Sequence, residues 1–156
     1  MSESELYFGY GSNLDSDDWV SWCEDRGIDP SGMVEVGAAF LFGYEMKFHY
    51  YSNGRKGGAA DVVDIGTESE VPGVLFTLND EAWKAMDRKE GHPNYYERKL
   101  VTVRTTNGEI NAITYTVVEG KIRPLYVPPT DEYVALIRSG LERRNLPTTA
   151  LEKALQ

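Results

Sequence analysis

Two short stretches of the chain carry residue types that can do chemistry together. The first, Tyr10-Gly11-Ser12-Asn13-Leu14, lies between an apolar run that predicts a strand and an acidic run that predicts the start of a helix. This arrangement places several unpaired backbone N–H groups in one concavity, which can bind a carboxylate or a developing oxyanion. The second, Asp87-Arg88-Lys89-Glu90-Gly91, supplies a candidate acid/base. Together they indicate chemistry on a small substrate with a carboxylate end.

Glu90 is the candidate acid/base because of its position on a predicted helix. It shares one face with Trp83, Met86 and Asp87, at spacings i, i+3, i+4 and i+7. Partial burial beside the core would raise the pKa of the Glu90 carboxyl, and the negative end of the helix dipole would act in the same direction. Such a carboxyl group can both accept and release a proton. The alternative is a solvated residue at a fraying helix end, and helical spacing alone favours that alternative.

The turn has three functional interpretations and a structural one. A dinucleotide fingerprint is rejected because Leu14 stands where the third glycine belongs and no βαβ pattern follows. A nucleophilic Ser12 has little support because the Gly-x-Ser-x-Gly frame is missing, and His49 and His92 add none. An anion cradle of backbone N–H groups remains. An ordinary tight turn with Asn13 in the left-handed conformation explains the residue types equally well.

Most other candidate residues have simpler structural explanations. The two histidines lack carboxylates at ligand spacing, so no metal site is predicted. Lys56-Gly57-Gly58 lacks the strand-to-helix setting of a phosphate loop. His49 lies in an aromatic strand and is expected to be a packed histidine. Tyrosines such as Tyr115 and Tyr133 are more often core residues than functional-site residues. The chain has ten tyrosines, however, so some of their hydroxyls can line a pocket.

Composition narrows the class of protein and its partners. The 156 residues suit one domain, 1–156, and the formal net charge of -9 argues against nucleic acid and anionic membranes as partners. The single cysteine, Cys23, excludes an internal disulfide and favours a reducing compartment. The acidic start is unlike a signal peptide, and no apolar run is long enough to span a membrane. A cytoplasmic location is expected.

The elements that must position these residues are mostly strands separated by turns. This pattern predicts an α+β fold with a largely antiparallel sheet that can close, and with helices at its ends. The expected elements are a helix from Asp17 to Asp25 capped by Ser16, strand pieces between Val34 and Phe48 broken at Gly37 and Gly43, strands over 59–65 and 73–78, a helix from Asn79 to Gly91, a hairpin of 98–105 and 109–118 around Thr106-Asn107-Gly108, a helix from Pro128 stopped by Pro147, and a tail helix over 148–155.

Six motifs along nearly the whole chain resemble those of the gamma-glutamylcyclotransferase-like family, in the family's order. The turn motif is distinctive, and its pairing with a distant Glu-Gly is more so. The motifs are Tyr7-Phe8-Gly9-Tyr10-Gly11-Ser12-Asn13-Leu14, Gly57-Gly58-Ala59-Ala60, Val71-Pro72-Gly73-Val74-Leu75-Phe76, Met86-Asp87-Arg88-Lys89-Glu90-Gly91, Thr114-Tyr115-Thr116 and Pro128-Pro129-Thr130-Asp131-Glu132-Tyr133.

The resemblance implies a small mixed, mostly antiparallel β-barrel with flanking helices. It implies Glu90 as general acid/base, and it implies a substrate site formed by Tyr10, Gly11, Ser12, Asn13, Leu14, Tyr115 and Tyr133. The implied reaction is intramolecular aminolysis of a γ-glutamyl amino acid or amine to 5-oxoproline, with no cofactor or metal.

Several points remain open from the sequence. The leaving amine is not identified, and the oligomeric state is open, with a homodimer as one option. One alternative function is a non-catalytic module that binds a small carboxylate in the same pocket. Another is a hydrolase that uses Ser12 and releases free glutamate. Because members of the family differ in substrate and some have no known activity, the resemblance does not decide among them.

Overall fold

Seven β-strands and four α-helices make up the fold in the computed structural model, which describes residues 5–156. The strands are β1 (Leu6–Gly9), β2 (Met33–Phe42), β3 (Tyr44–Ser52), β4 (Gly57–Asp64), β5 (Glu70–Leu78), β6 (Tyr96–Thr105) and β7 (Gly108–Val117). The helices are α1 (Ser16–Glu24), α2 (Asp80–Glu90), α3 (Asp131–Glu142) and α4 (Thr149–Ala154), with short 3-10 turns at Ser12–Leu14, Pro30–Gly32 and Glu119–Lys121.

Five strands curl into a barrel in the order β1-β5-β2-β6-β7, and β3 and β4 form a separate two-stranded sheet. The barrel pairs are antiparallel except between β1 and β7, which meet in parallel at Tyr7 and Ile113. That contact and the one between Phe40 of β2 and Arg104 of β6 are narrow seams. The predicted α+β fold with a mixed, mostly antiparallel sheet is confirmed.

The expected strand break at Gly37 is wrong. The β2 strand runs through it, because a bulge between Glu35 and Gly37 absorbs the irregularity and lets pairing with β5 continue to Phe42. Gly43, at a φ of +86°, makes the turn into β3, which a residue with a side chain rarely does. The expected turn at Thr106 and Asn107 is confirmed, since Thr105 and Gly108 pair across it.

The helix boundaries follow capping residues, one of which differs from expectation. Asp15, not Ser16, caps α1, because its Oδ1 accepts a hydrogen bond from the Asp18 amide at 3.0 Å. Asn79 caps α2 through the Ala82 amide, and Gly91 ends that helix in the left-handed conformation. The register of the Glu90 face is therefore fixed at both ends of α2.

Helix α3 holds the turn that follows β1. Gly140 of α3 lies so close to the turn that a Cβ built there would be 2.5 Å from the Leu14 Cβ, so the contact requires glycine. Leu14, Ile137 and Leu141 are buried in the same core. The turn therefore rests on a packed helix. No helix within residues 5–156 is both long and apolar enough to cross a membrane.

Candidate functional site

A cavity of about 640 Å³ opens beside the turn, between the end of β1, the first helix, the end of α2 and the tip of the β3–β4 hairpin. Tyrosines dominate its lining, which includes seven of the ten in the chain. These are Tyr7, Tyr10, Tyr50, Tyr95, Tyr96, Tyr115 and Tyr133. Gly11, Ser12, Asn13 and Glu90 also line it. The structure thus brings together every sequence-predicted site residue except Leu14.

The turn itself is one turn of 3-10 helix over Ser12–Leu14, and the Leu14 amide donates to the Gly11 carbonyl at 3.0 Å. The alternative with Asn13 in the left-handed conformation is wrong, because its φ is not positive. The first amides of a helical turn have no acceptor within it. In the described part of the chain the amides of Ser12 and Asn13 have no hydrogen-bond acceptor, so they are free for a ligand.

Leu14 lies just outside the cavity. Its side chain is fully buried against Gly140, and its carbonyl accepts a hydrogen bond from Arg144 Nη1 at 2.9 Å. Arg144 Nη1 also donates to the Gly140 carbonyl. Leu14 therefore anchors the turn to α3, and a direct contact between Leu14 and a substrate stays a prediction.

Glu90, the last residue of α2, is half-buried and lines the cavity. Trp83 and Met86 on the same helix face are buried, as the spacing predicts. Burial raises the pKa of the Glu90 carboxyl above its ordinary value, although Lys89, Arg55 and the Asn13 carboxamide act to lower it. Burial of the ionised form is costly, so the carboxyl group is set to bind a proton more readily than a solvated glutamate does.

Asp87, one turn earlier on that face, is held quite differently. Arg98 donates from Nε and Nη2 to its two carboxylate oxygens at 2.9 and 3.0 Å. The Tyr115 hydroxyl donates to Oδ1 at 2.6 Å. The bidentate ion pair with Arg98 balances the negative charge of Asp87. The hydrogen bond from Tyr115 places the Tyr115 ring at the cavity wall.

Two backbone carbonyls and one backbone amide hold the hydroxyls on the cavity floor. Tyr10 donates to the Tyr115 carbonyl at 2.7 Å, and Tyr96 donates to the Ala60 carbonyl at 2.6 Å. The Ala60 amide in turn donates to the Tyr133 hydroxyl at 3.1 Å. These bonds fix the rings, so the shape of the cavity is built in before any ligand arrives.

Burial also keeps these hydroxyls neutral. It raises the pKa of Tyr133 to about 12, and it raises the pKa values of Tyr7, Tyr10, Tyr96 and Tyr115 above the ordinary value for tyrosine. A neutral hydroxyl can donate a hydrogen bond where a phenolate cannot. The floor of the cavity is thus a set of polar but uncharged groups around one carboxyl group.

Three charged residues that sequence reasoning missed stand over the turn. Arg55, at the tip of the β3–β4 hairpin, donates to both carboxylate oxygens of Asp18 at 3.0 and 2.9 Å and to the Ser12 hydroxyl at 3.0 Å. Lys89 donates to Asp18 at 3.1 Å and to the Asn13 carboxamide at 2.8 Å. No local motif marks these contacts, because the partners are 37 to 76 positions apart in the chain.

The histidines do not join this site. His49 Nε2 and Asp61 Oδ2 lie 2.7 Å apart, so His49 is held by a buried carboxylate rather than by packing alone. His92 Nδ1 accepts from the Arg98 amide at 3.3 Å. The Ser12 hydroxyl bonds Arg55, and no histidine bonds it within residues 5–156. The geometry therefore gives the hydrolase alternative no histidine base for Ser12 within the described residues.

The same fold occurs in proteins of known structure. A gamma-glutamyl cyclotransferase matches with 26% sequence identity and a TM-score of 0.79, over 96% of this chain and 85% of the other. An uncharacterised protein from Homo sapiens matches with 28% identity and a TM-score of 0.79, over 97% and 86%. YkqA from Bacillus subtilis matches with 25% identity and a TM-score of 0.75, over 96% of this chain and 52% of that protein.

A search of curated proteins found no significant match. The family model described as "Gamma-glutamyl cyclotransferase, AIG2-like" matches residues 7–135, a range that contains the turn, Glu90, Tyr115 and Tyr133. With most of its length matched, this chain belongs to the gamma-glutamyl cyclotransferase, AIG2-like family.

Proposed function

We propose that this protein is a gamma-glutamyl cyclotransferase that converts a γ-glutamyl amino acid or amine into 5-oxoproline and a free amino acid or amine. The observation that carries the proposal is the position of Glu90. Its carboxyl group, with a raised pKa, lines the same cavity as the turn and its unpaired amides. A titratable group perturbed by burial in a cleft is a candidate for proton transfer.

The reaction is an internal aminolysis. The α-amine nitrogen of the γ-glutamyl group bonds to the γ-carbonyl carbon and closes a five-membered lactam, and the bond from that carbon to the leaving nitrogen breaks. Glu90 takes the proton that the attacking amine loses and delivers it to the leaving nitrogen. One carboxyl group serves both transfers, and a raised pKa suits it to both roles.

The rest of the cavity holds the substrate in a folded, attacking shape. Both reacting groups belong to one molecule, and such preorganisation can lower a barrier by on the order of 7–11 kcal/mol. The amides of Ser12 and Asn13 are assigned to the α-carboxylate or to the carbonyl oxygen. Because the Ser12 oxygen accepts from Arg55, its own hydrogen stays available to a ligand. The Tyr115 and Tyr133 rings are assigned to the pocket walls.

A panel assay tests the proposal. The protein is incubated with γ-glutamyl amino acids and γ-glutamyl amines, and products are identified by mass. We expect 5-oxoproline from at least one member of the panel. The Glu90→Gln variant is assayed in the same way. Its matched control is Glu81→Gln, because Glu81 is an exposed glutamate in the first turn of the same helix. The Glu81→Gln variant should cyclise substrate at the wild-type rate.

Two results would contradict the proposal, and each points to an alternative. Free glutamate in place of the lactam indicates a hydrolase. Tight binding of 5-oxoproline with no product from any substrate indicates a binding module.

A further inference from the structure

Asp18, Arg55 and Lys89 form a charge network that joins three elements around the turn. Asp18 comes from α1, Arg55 from the hairpin tip and Lys89 from the last turn of α2. Burial alone would raise the pKa of Asp18, but its bonds to Arg55 and its proximity to Lys89 lower it below the ordinary value. The carboxylate therefore stays ionised and binds both cations.

The network is hydrogen-bonded to two residues of the turn. Arg55 bonds the Ser12 hydroxyl, and Lys89 bonds the Asn13 carboxamide, whose nitrogen donates to the Tyr7 hydroxyl at 2.8 Å. Each of these side chains has several rotamers of similar energy when it is free. Because the Ser12 and Asn13 side chains are both hydrogen-bonded, each is held in one orientation toward the cavity.

The charges of the network do not cancel. Two cations meet one anion, so the network carries a net positive charge beside a cavity in a chain of net charge -9. The Lys89 side chain is only 5% exposed, and burial of an ammonium group is costly unless it serves partners. Each cation also has a hydrogen-bond partner in the turn, Ser12 for Arg55 and Asn13 for Lys89. Both cations act on Glu90, the adjacent carboxyl group.

We infer that Arg55 and Lys89 are positioning residues of the Glu90 site, which hold Ser12 and Asn13 in place and supply the positive charge that faces the Glu90 carboxyl group. This inference rests on the proposed function, because it gives Glu90 and the turn their roles. Neither cation touches the reacting atoms in the mechanism above. They act through the groups they hold and through their charge.

Four other charged residues line the cavity with Glu90, namely Asp18, Asp25, Arg26 and Arg88. The tyrosine hydroxyls around Glu90 have raised pKa values and stay neutral. They come from strands β1, β3 and β6, from helix α3 and, for Tyr10, from the segment that directly follows β1. Lys89 and Arg55 are thus the cations that offset the effect of burial on Glu90. The tyrosines are Tyr7, Tyr10, Tyr50, Tyr96 and Tyr133.

The test replaces each cation by an uncharged side chain of similar length. Lys89→Met and Arg55→Met are compared with Lys89→Arg, which keeps the charge, and with Arg138→Met, which removes an arginine from an exposed pair with Glu152. The pKa of Glu90 is followed by 13C NMR of labelled glutamate carboxyls, assigned with Glu90→Gln. The acid limb of kcat/KM and the binding of 5-oxoproline are measured in parallel.

We expect Lys89→Met to raise the pKa of Glu90 and to move the acid limb to higher pH by about one unit, because loss of a nearby cation disfavours the carboxylate. Arg55→Met should produce a smaller shift in the same direction and weaken 5-oxoproline binding several-fold. Lys89→Arg should restore the wild-type limb, and Arg138→Met should change none of these quantities.

Unchanged Glu90 titration and unchanged ligand binding in both methionine variants, with only a lower melting temperature, would overturn the inference and leave the network a purely structural role. If Lys89→Met does not fold, Arg55→Met decides the same question, since Lys89 then still pairs with Asp18. Failure of the proposed function is a separate result. It is the absence of lactam from the wild-type protein, whereas the NMR titration and the binding measurement need no turnover.

Discussion

Asp87 and Glu90 lie three residues apart on one face of α2, but the protein surrounds them in opposite ways. Arg98 binds both oxygens of Asp87, and Tyr115 adds a third bond. Within residues 5–156 no salt bridge reaches Glu90, and burial raises the pKa of its carboxyl group. Position on the helix therefore decides which residues face inward, and the neighbouring elements decide which of them is available for proton transfer.

The largest expected effect separates the two carboxylates by activity. Glu90→Gln removes the proton carrier and should lower kcat by at least about 10³-fold, since positioned acid/base groups contribute about 10²–10⁴-fold. Asp87→Asn should lower kcat by less than about tenfold, because Asp87 holds only the cavity wall. Steady-state rates of 5-oxoproline release measure both. Equal losses in the two variants would erase the distinction between them.

The turn faces Glu90, and its variant should affect ligand binding more than stability. Ser12→Ala removes a hydroxyl that accepts from Arg55 and is free to donate to a ligand. We expect about tenfold weaker binding of substrate or 5-oxoproline, in line with a lost hydrogen bond of about 1–1.5 kcal/mol. Calorimetric titration and thermal melts check this. Unchanged affinity with a lower melting temperature would make the turn a structural feature.

Asp87 should stabilise the fold, whereas the ionised Glu90 should not. Asp87→Asn breaks the pair with Arg98, whose side chain is 33% exposed, and we expect a loss of about 1 kcal/mol in the free energy of unfolding. For a protein of this size that loss lowers the melting temperature by about 2–4 °C. Differential scanning calorimetry at neutral pH measures it. A melting temperature equal to that of the wild type would show that the Arg98–Asp87 pair does not stabilise the fold.

The smallest expected effect is a gain in stability on replacement of Glu90, opposite in sign to the loss expected for Asp87→Asn. The folded-state pKa of Glu90 is raised, so its stabilising contribution is present below the ordinary glutamate pKa and is lost as the pH rises through the folded value. Glu90→Gln should therefore melt slightly higher than the wild type at about pH 8, and the difference should vanish at about pH 4. A lower melting temperature of the variant at about pH 8 would indicate that the ionised Glu90 stabilises the fold.

Local patterns predicted most of the elements and the buried face of α2, but helical spacing alone favoured a solvated Glu90. Apolar spacing predicted the buried face of Trp83 and Met86, and Asn79 and Gly91 predicted the ends of that helix. The α1 cap was misplaced by one residue because Asp15 and Ser16 are both good cap residues, and the choice depends on which side chain reaches the Asp18 amide.

Contacts across the chain were beyond such patterns. The hairpin tip was judged for phosphate binding at Lys56, whereas its neighbour Arg55 reaches Asp18 and Ser12. Sequence reasoning gave Lys89 no role of its own, yet its side chain is nearly buried between α1 and the turn. Leu14 was grouped with the site because it belongs to the motif, and only the packing of Gly140 shows that it faces the core. These positions depend on tertiary packing, which residue spacing does not encode.

The most direct test of the central claim compares two titrations of the wild-type protein. The pKa of the Glu90 carboxyl group is measured by 13C NMR in the free protein, and the acid limb of kcat/KM is measured with the best substrate of the panel. We predict that both midpoints coincide and lie above the ordinary range for glutamate, because kcat/KM reports the free enzyme. An acid limb that departs from the Glu90 titration, or a Glu90 that titrates as a solvated glutamate does, would contradict its role as the acid/base.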